Sequence, residues 1–285
     1  SLTGIAGGAA LQGMRPLFVH ARTGFMLLTM SQLFNELAMW SYMSGGKRQV
    51  PVVIRAFIGR SWGQGGQHSQ SLQALFAHYP GLHVVTPSNG YDAKGLLMTA
   101  LTGHAPVVII EHRLCHSVKT VVPERPYGIP FGKARLVREG SDVTIVSVLQ
   151  MVQEAEKAAE DLAAHGVSAE VLDLRSIRPW DKVAVCASVR KTGHLIVADT
   201  AWTEFGISAE IASYVTEREF SSLKSPPIRI GLPACPTPMA QPLEEAYYPD
   251  SRDIVAAAFR ALGREVSAEF NRDGVNREIT GGSPF

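Results

Sequence analysis

Apolar segments alternate with helical segments through the first half of the chain. Runs of β-branched and other apolar residues predict strands at Arg15–His20, Val50–Phe57, His83–Thr86 and Val107–Glu111. Around them the pattern predicts helices over Ser1–Met14, Phe25–Met43, Ser69–His78 and Asp92–Thr102, with a glycine-dense loop at Gly59–Gly66. Because strands separated by helices pair in parallel, we expect a parallel sheet with helices on both faces.

The α/β pattern is interrupted once and then returns. Residues 117–141 contain three prolines and scattered charges, which is typical of a linker. Further strands are predicted at Asp142–Leu149, Ala169–Leu174, His194–Asp199 and Ile228–Gly231, and helices over Val152–Ala164, Asp181–Val189 and Ser208–Glu219. Gly166 is placed to end the first of these helices. The polar, glycine-rich stretch Glu269–Phe285 is predicted to be a loose tail.

These patterns predict an α/β protein with two doubly wound domains. The first domain covers residues 1–118, a linker covers 119–140, the second domain covers 141–265, and a tail covers 266–285. A length of 285 residues suggests either two domains of about 150 residues each or one large α/β unit.

Composition narrows the class of protein. The chain has 27 basic and 26 acidic residues, so its formal net charge of +1 argues against binding to nucleic acid or to a membrane surface. Hydrophobic residues make up 46%, enough for a sizeable core, yet no apolar run reaches the ~20 residues that span a bilayer. Three scattered cysteines indicate a reducing compartment, and we expect the cytoplasm.

One short motif suggests a hydrolase. Gly59-Arg60-Ser61-Trp62-Gly63 matches the G-x-S-x-G nucleophile elbow and follows an apolar strand. That elbow must turn directly into a helix, whereas Gln64–Gln67 continue a flexible loop. A serine hydrolase that uses Ser61 is therefore only an alternative.

Other polar and aromatic residues are candidates for a site. His68 ends the glycine loop, where an imidazole could transfer a proton or simply lie at the surface. Phe25 follows Thr23-Gly24 and has the ordinary role of a core residue, while Arg22 could meet an anion or be solvated. His112, Cys115 and His116 lack further ligands at metal-binding spacing, so no metal site is predicted in this chain.

Phosphate-binding motifs are missing from the sequence. It contains neither G-x-x-x-x-G-K-[ST] nor a G-x-G-x-x-G that opens a helix. The chain therefore has no recognisable cradle of its own for a diphosphate.

An ordered set of segments resembles the beta subunit of thiamine-diphosphate-dependent 2-oxoacid dehydrogenases, the family of the pyruvate, branched-chain and acetoin enzymes, which is similar to the second half of transketolase. The segments are Thr3–Ala6, Tyr42–Gly46, Gly66–Gln70, Pro80–Ser88, Asp92–Leu96, Pro106–Glu111, Asp173–Asp181 and Phe205–Ile211. The resemblance implies a pyrimidine-binding domain that lacks its first segment, followed by a transketolase C-terminal domain.

The resemblance also implies cofactors and partners. In this family an alpha subunit holds the diphosphate through Mg²⁺ and a Gly-Asp-Gly motif, which does not occur in this sequence. Thiamine diphosphate would be shared with that alpha subunit. A second beta subunit would complete a heterotetramer, and a lipoyl acyltransferase core is a further expected partner.

Two residues take roles from the resemblance. Phe25 falls where the family places the ring that stacks on the aminopyrimidine, and His68 falls on the family's active-site histidine. The implied activity is oxidative decarboxylation of a 2-oxo acid with acyl transfer to lipoyl. A split transketolase or an acyloin-forming thiamine enzyme outside such a complex is the alternative, and a non-catalytic assembly subunit is a third.

The resemblance carries one expectation about residues before Ser1. The family glutamate that bonds the pyrimidine N1′ would lie about two positions upstream of Ser1, so we expect the 285-residue chain to lack the full reaction even with an alpha subunit. Any targeting peptide would also lie upstream, which leaves the mitochondrial matrix open.

Overall fold

The computed structural model describes residues 1–60 and 62–271, which form two compact units. The first unit comprises the described residues of Ser1–Ser61, Gln67–Lys133 and Arg175–Trp180, and the second those of Trp62–Gly66, Ala134–Leu174 and Asp181–Phe285. Each unit contains one five-stranded sheet, in agreement with the prediction of two α/β folds.

Strands and helices alternate along most of the chain. The strands are β1 (Leu17–His20), β2 (Val53–Ile58), β3 (His83–Val85), β4 (Val107–His112), β5 (Arg135–Arg138), β6 (Val143–Ser147), β7 (Ala169–Asp173), β8 (Ser176–Arg178), β9 (Leu195–Trp202) and β10 (Ile228–Leu232). The helices are α1 (Leu2–Leu11), α2 (Thr23–Met26), α3 (Trp40–Met43), α4 (Gly65–His68), α5 (Gln73–His78), α6 (Gly90–Thr102), α7 (Met151–Ala164), α8 (Lys182–Thr192), α9 (Ile207–Glu219), α10 (Gln241–Tyr247) and α11 (Ser251–Ala261).

The first sheet has the strand order β1-β2-β4-β3-β8. Its first four strands are parallel, and β2 pairs with β4 in register from Val53 opposite Val107 to Ile58 opposite His112. All six residues of β4 are buried, as the continuous apolar run predicted. The carboxyl ends of β1, β2 and β4 therefore lie together at one edge of this sheet.

The edge strand β8 was not predicted. It pairs antiparallel with β3, although it follows Leu174 of the second unit in the chain. Arg175, with a positive φ of 57°, forms an ion pair with the fully buried carboxylate of Asp92, with Nη2 2.9 Å from Oδ1. Its carbonyl also accepts from Thr86 N at 2.7 Å, so this short segment is fixed to the first unit beside β3.

The helix predicted over Phe25–Met43 is not a single α-helix. Only α2 and α3 are α-helical; Leu27–Thr29 is a 3₁₀ turn and Ser31–Leu37 is a π-helix. In the π segment Ala38 N donates to Leu33 O, five residues back, at 3.0 Å. Leu33, Phe34 and Leu37 of this segment are buried, and Phe34 stacks on Tyr79 with ring centroids 4.0 Å apart.

The second sheet has the strand order β10-β9-β6-β7-β5. Four strands are parallel and the edge strand β5 is antiparallel to β7, within the stretch interpreted as a linker. Helix α7 ends at Ala164, and Gly166 takes the left-handed φ of 71° expected after a helix. Ile145, Val171 and Ile196 of the strands form the core with α7.

Two features near the C-terminus also differ from the sequence interpretation. Helix α11 was not predicted, yet it buries seven of its eleven residues and starts with a capping box between Asp250 and Asp253. In the predicted tail, Phe270 is buried and packs edge-on against Phe259 with centroids 6.1 Å apart. The rest of that tail, residues 272–285, lies outside the described residues.

Candidate active site

Phe25 and His68 lie at the same edge of the first sheet. Helix α2, which carries Phe25, begins directly after β1, and α4, which ends at His68, follows β2. Because β1 and β2 are parallel, both helices lie beyond the carboxyl ends of the strands, where open α/β sheets bind their ligands.

The two side chains are in contact. Their rings are T-shaped, with centroids 5.7 Å apart and an interplanar angle of 71°. Phe25 is 49% exposed and His68 is half-buried, so a flat apolar face and an imidazole are both open to a ligand. Phe25 is therefore not the core residue that its type alone would suggest.

The chain before Phe25 is attached to the chain around His68. Thr23 is buried, and its Oγ1 donates to the carbonyl oxygen of Gln70 at 2.9 Å. A Cβ on Gly24 would lie only 3.0 Å from the carbonyl oxygen of Gln67, so the two backbones approach closely there. Sequence reasoning missed both contacts, because a threonine and a glycine before an aromatic residue give no sign of a partner far away in the chain.

Arg22 forms a third attachment. It is 4% exposed and donates from Nη1 to the carbonyl oxygen of Gly59, at the end of β2, at 3.3 Å. The side chain is therefore buried rather than solvated, and it contacts a backbone oxygen of this chain. Gly59 has a φ of +87° and packs on the His112 ring, so it tolerates no Cβ.

His112 is a neutral histidine beneath this edge. Burial, followed by the positive charges of Arg60, His116 and Arg22, lowers its pKa to about 3. Its Nδ1 accepts from Leu114 N at 3.3 Å, so the proton lies on Nε2, which is buried without a hydrogen-bond partner among the described residues. This imidazole supports the site and is not a base within it.

A charged cluster joins Arg55, in the middle of β2, to Glu111, near the end of β4. Arg55 forms a bidentate pair with Glu111 at 2.6 and 2.9 Å, which raises the pKa of the guanidinium. His116 Nε2 is 3.1 Å from the same carboxylate. Within residues 1–60 and 62–271, no group of three or more His, Cys, Asp and Glu side chains is arranged to hold a metal ion.

The serine proposed for a nucleophile elbow, Ser61, lies outside the described residues. Its neighbours show that β2 ends at Ile58 and α4 begins at Gly65, so the strand does not turn directly into a helix. Gly63, Gly65 and Gly66 instead pack in the second unit, where Gly65 lies against Met239 and Gly66 against Pro236. The described neighbours therefore lack the short strand-to-helix turn that a hydrolase elbow requires.

The resemblance implies that these two side chains face one half of thiamine diphosphate. A half-exposed aromatic ring at the carboxyl edge offers a face for an aminopyrimidine, and the adjacent imidazole offers a proton donor or acceptor.

Two family models match the chain. Residues 1–116 match the transketolase pyrimidine-binding domain and residues 132–254 match the transketolase C-terminal domain.

Among the helices that the structure describes, none combines the length and the hydrophobicity that a membrane span requires.

Curated relatives are similar over most of the chain. The beta subunit of acetoin:2,6-dichlorophenolindophenol oxidoreductase from Cupriavidus necator is 42% identical over 259 residues, 91% of this chain and 77% of that protein. The mitochondrial pyruvate dehydrogenase E1 subunit beta-2 of rice is 42% identical over 268 residues, which are 93% of this chain and 71% of that protein. The human mitochondrial pyruvate dehydrogenase E1 subunit beta is 39% identical over 264 residues, which are 91% of this chain and 74% of that protein.

A solved structure has a similar fold. It is described as a split gene transketolase, inactive beta4 tetramer, and it matches with a TM-score of 0.75 and 26% identity, covering 92% of this chain and 80% of that one.

Proposed function

Because the chain belongs to the family of beta subunits of thiamine-diphosphate-dependent 2-oxoacid dehydrogenases, we propose that it catalyses oxidative decarboxylation of a 2-oxo acid together with an alpha subunit. The acyl group would pass to a lipoyl group on a separate acyltransferase. The observation that carries this proposal at the level of the site is the half-exposed Phe25 ring in contact with His68.

Each residue has a defined part in the proposal. The Phe25 face would stack on the aminopyrimidine and fix its plane without adding a charge. When bound, thiamine diphosphate supplies a nucleophilic carbon and an electron sink for decarboxylation. His68 would hold or donate a proton at an imidazole nitrogen facing the substrate oxygen.

The partner follows from what this chain does not contain. With no Gly-Asp-Gly in its sequence and no metal cluster among its described residues, the diphosphate and Mg²⁺ would be held by the alpha subunit. We propose an assembly of two alpha and two beta subunits, and expect the 285-residue chain alone to be inactive. The similar chain described as an inactive beta4 tetramer supports both points.

We also propose a reducing compartment. None of the three cysteines forms a disulfide bond, and Cys115 and Cys186 are buried. The cytoplasm is the first candidate; the mitochondrial matrix is the second, because the rice and human relatives are named as mitochondrial.

The test is an assay of the assembled enzyme. The gene product, with any residues encoded before Ser1, would be co-purified with an alpha subunit and supplied with thiamine diphosphate, Mg²⁺ and a series of 2-oxo acids. Reduction of 2,6-dichlorophenolindophenol, the acceptor in a relative's name, reports decarboxylation without the acyltransferase. A second assay with lipoylated acceptor domain tests the acyl transfer.

Site variants give the sharper result. Phe25→Ala should raise the Kd of thiamine diphosphate about tenfold, since stacking contributes about 0.5–1.5 kcal/mol beyond area burial. His68→Ala should lower kcat about 10²–10⁴-fold, the usual contribution of a positioned acid or base. The controls are Phe220→Ala and His78→Ala, which alter an exposed phenylalanine and an exposed histidine elsewhere. Equal losses in controls and site variants would overturn the assignment.

A second function within the same chemistry has its own support. One relative is named for acetoin oxidation and the structural neighbour for transketolase. If the enzyme oxidised acetoin, or transferred a ketol group between sugar phosphates, while leaving every 2-oxo acid untouched, this alternative would replace the first.

A further inference from the structure

The segments that carry Phe25 and His68 are held together by direct contacts of neighbouring residues. Thr23 Oγ1 donates to the Gln70 carbonyl oxygen at 2.9 Å, two residues from Phe25 on one side and two from His68 on the other. Thr23 is also buried, so its hydroxyl is shielded from water.

Gly24 provides the second contact. A Cβ at this position would lie 3.0 Å from the Gln67 carbonyl oxygen and 3.3 Å from Gln70 Oε1, tighter than ordinary van der Waals contact. Gly24 is the first residue after Thr23 and lies within α2, so its backbone conformation does not require glycine. What requires glycine is the close approach of the two backbones.

Resting on the function proposed above, we infer that Thr23 and Gly24 are positioning residues that set the Phe25 ring edge-on to His68. This role requires no contact of either residue with a cofactor or a substrate. They act by fixing the distance and angle between two side chains that contribute to one site, and misplacement of a reacting group by about 1 Å can cost about 100-fold in rate.

The test uses an isosteric substitution at Thr23 and the addition of a methyl group at Gly24. Thr23→Val removes the hydroxyl and keeps the shape, whereas Thr23→Ser keeps the hydroxyl. In the assembled enzyme we expect Thr23→Val to lower kcat about fivefold, the loss that one hydrogen bond of about 1 kcal/mol predicts. Thr23→Ser should restore most of it. Gly24→Ala should lower kcat about tenfold or more, because its methyl group pushes α2 away from Gln67.

Matched controls separate positioning from general damage. Thr216→Val removes a hydroxyl that donates to Ala212 O at 2.7 Å in the second unit, the same type of bond. Gly8→Ala adds a methyl group to a helical glycine with nothing within 4 Å. Both should leave kcat unchanged.

A second readout does not depend on activity. NMR spectra of the chain with ¹³C-labelled histidine report the chemical shifts of the His68 ring protons. We expect the ring current of Phe25 to displace these shifts, and the difference between the wild type and Phe25→Leu measures that displacement. Thr23→Val and Gly24→Ala should move the His68 resonances toward their Phe25→Leu positions, and the controls should not.

The two readouts distinguish the two proposals. If Phe25→Ala and His68→Ala cause their expected losses while Thr23→Val and Gly24→Ala change neither kcat nor the His68 resonances, the positioning role is wrong and the function is right. If the resonances move as expected while no thiamine-dependent activity exists, the positioning contact is right and the proposed function is wrong.

Discussion

A methyl group at Gly59 tests the packing at the end of β2. This residue has a φ of +87°, and its added Cβ would lie 2.5 Å from His112 Cε1 and closer still to Nε2 and Cδ2. The His112 ring is fully buried, so it has little room to move away. Gly59→Ala therefore combines a strained backbone with a steric overlap.

The magnitude follows from those two causes. A left-handed backbone costs an alanine about 1–2 kcal/mol, and forcing extra atoms into a packed interior costs about 1–3 kcal/mol. The sum, about 2–5 kcal/mol, should lower the Tm by roughly 4–20 °C at about 2–4 °C per kcal/mol. Thermal unfolding followed by circular dichroism measures this shift.

A second glycine isolates the overlap. Gly46 has a φ of +78° with nothing within 4 Å of its added Cβ, so Gly46→Ala carries the backbone strain alone. We expect Gly59→Ala to lower Tm more than Gly46→Ala does, and the excess to shrink when the same change is made in a His112→Ala background. Equal shifts for the two glycines would refute the contact with His112.

Two further predictions concern buried charges. Arg175→Gln leaves the buried Asp92 carboxylate without its ion pair and should cost about 3–5 kcal/mol of unfolding free energy. Arg252→Gln, which removes an exposed pair with Asp250, should cost only about 0–1 kcal/mol. Similar losses for the two variants in urea unfolding would contradict this prediction. The pKa of His112 is depressed from 6.5 to about 3, so between these values the unfolded chain binds a proton that the folded chain does not. The free energy of unfolding should therefore fall as pH drops below 6.5, by up to about 1.4 kcal/mol per pH unit, and His112→Asn should reduce this dependence. Urea unfolding at about pH 7 and about pH 5 measures the change for both proteins. An equal change in the two proteins would count against the prediction.

The repeated parallel strands could be predicted because their signal is local. The apolar runs at β2, β4, β6, β7 and β9 are each long enough to stand out, and glycine after α7 marks a helix end. The edge strands β5 and β8 have only four and three residues, and their pairing depends on strands far away in the chain. No periodicity over so few residues can indicate such partners.

The predicted helix boundaries were wrong for other reasons. The stretch after Phe25 has a helical pattern, but tertiary packing selects 3₁₀ and π turns inside it, with Leu28 exposed and Leu33 buried. Helix α11 carried a usable signal that was overlooked, since Asp250 and Asp253 form a capping box ahead of an apolar face.

Part of the candidate site could be predicted from the sequence. The resemblance selected Phe25 and His68, and the structure brings their rings into contact. What it could not select were the residues that hold them, since the partners of Thr23, Gly24 and Arg22 are backbone oxygens, and these look alike at every position in a sequence.

The position of β8 has a consequence for dividing this protein. Arg175–Trp180 belongs to the first unit, although Ala134–Leu174 and Asp181 onward belong to the second. A truncation after Lys133 would therefore expose the hydrogen-bonding edge of β3 and remove Arg175 from Asp92, and open strand edges promote aggregation. Chimaeras between relatives should for the same reason take residues 175–180 from the parent that supplies the N-terminal half.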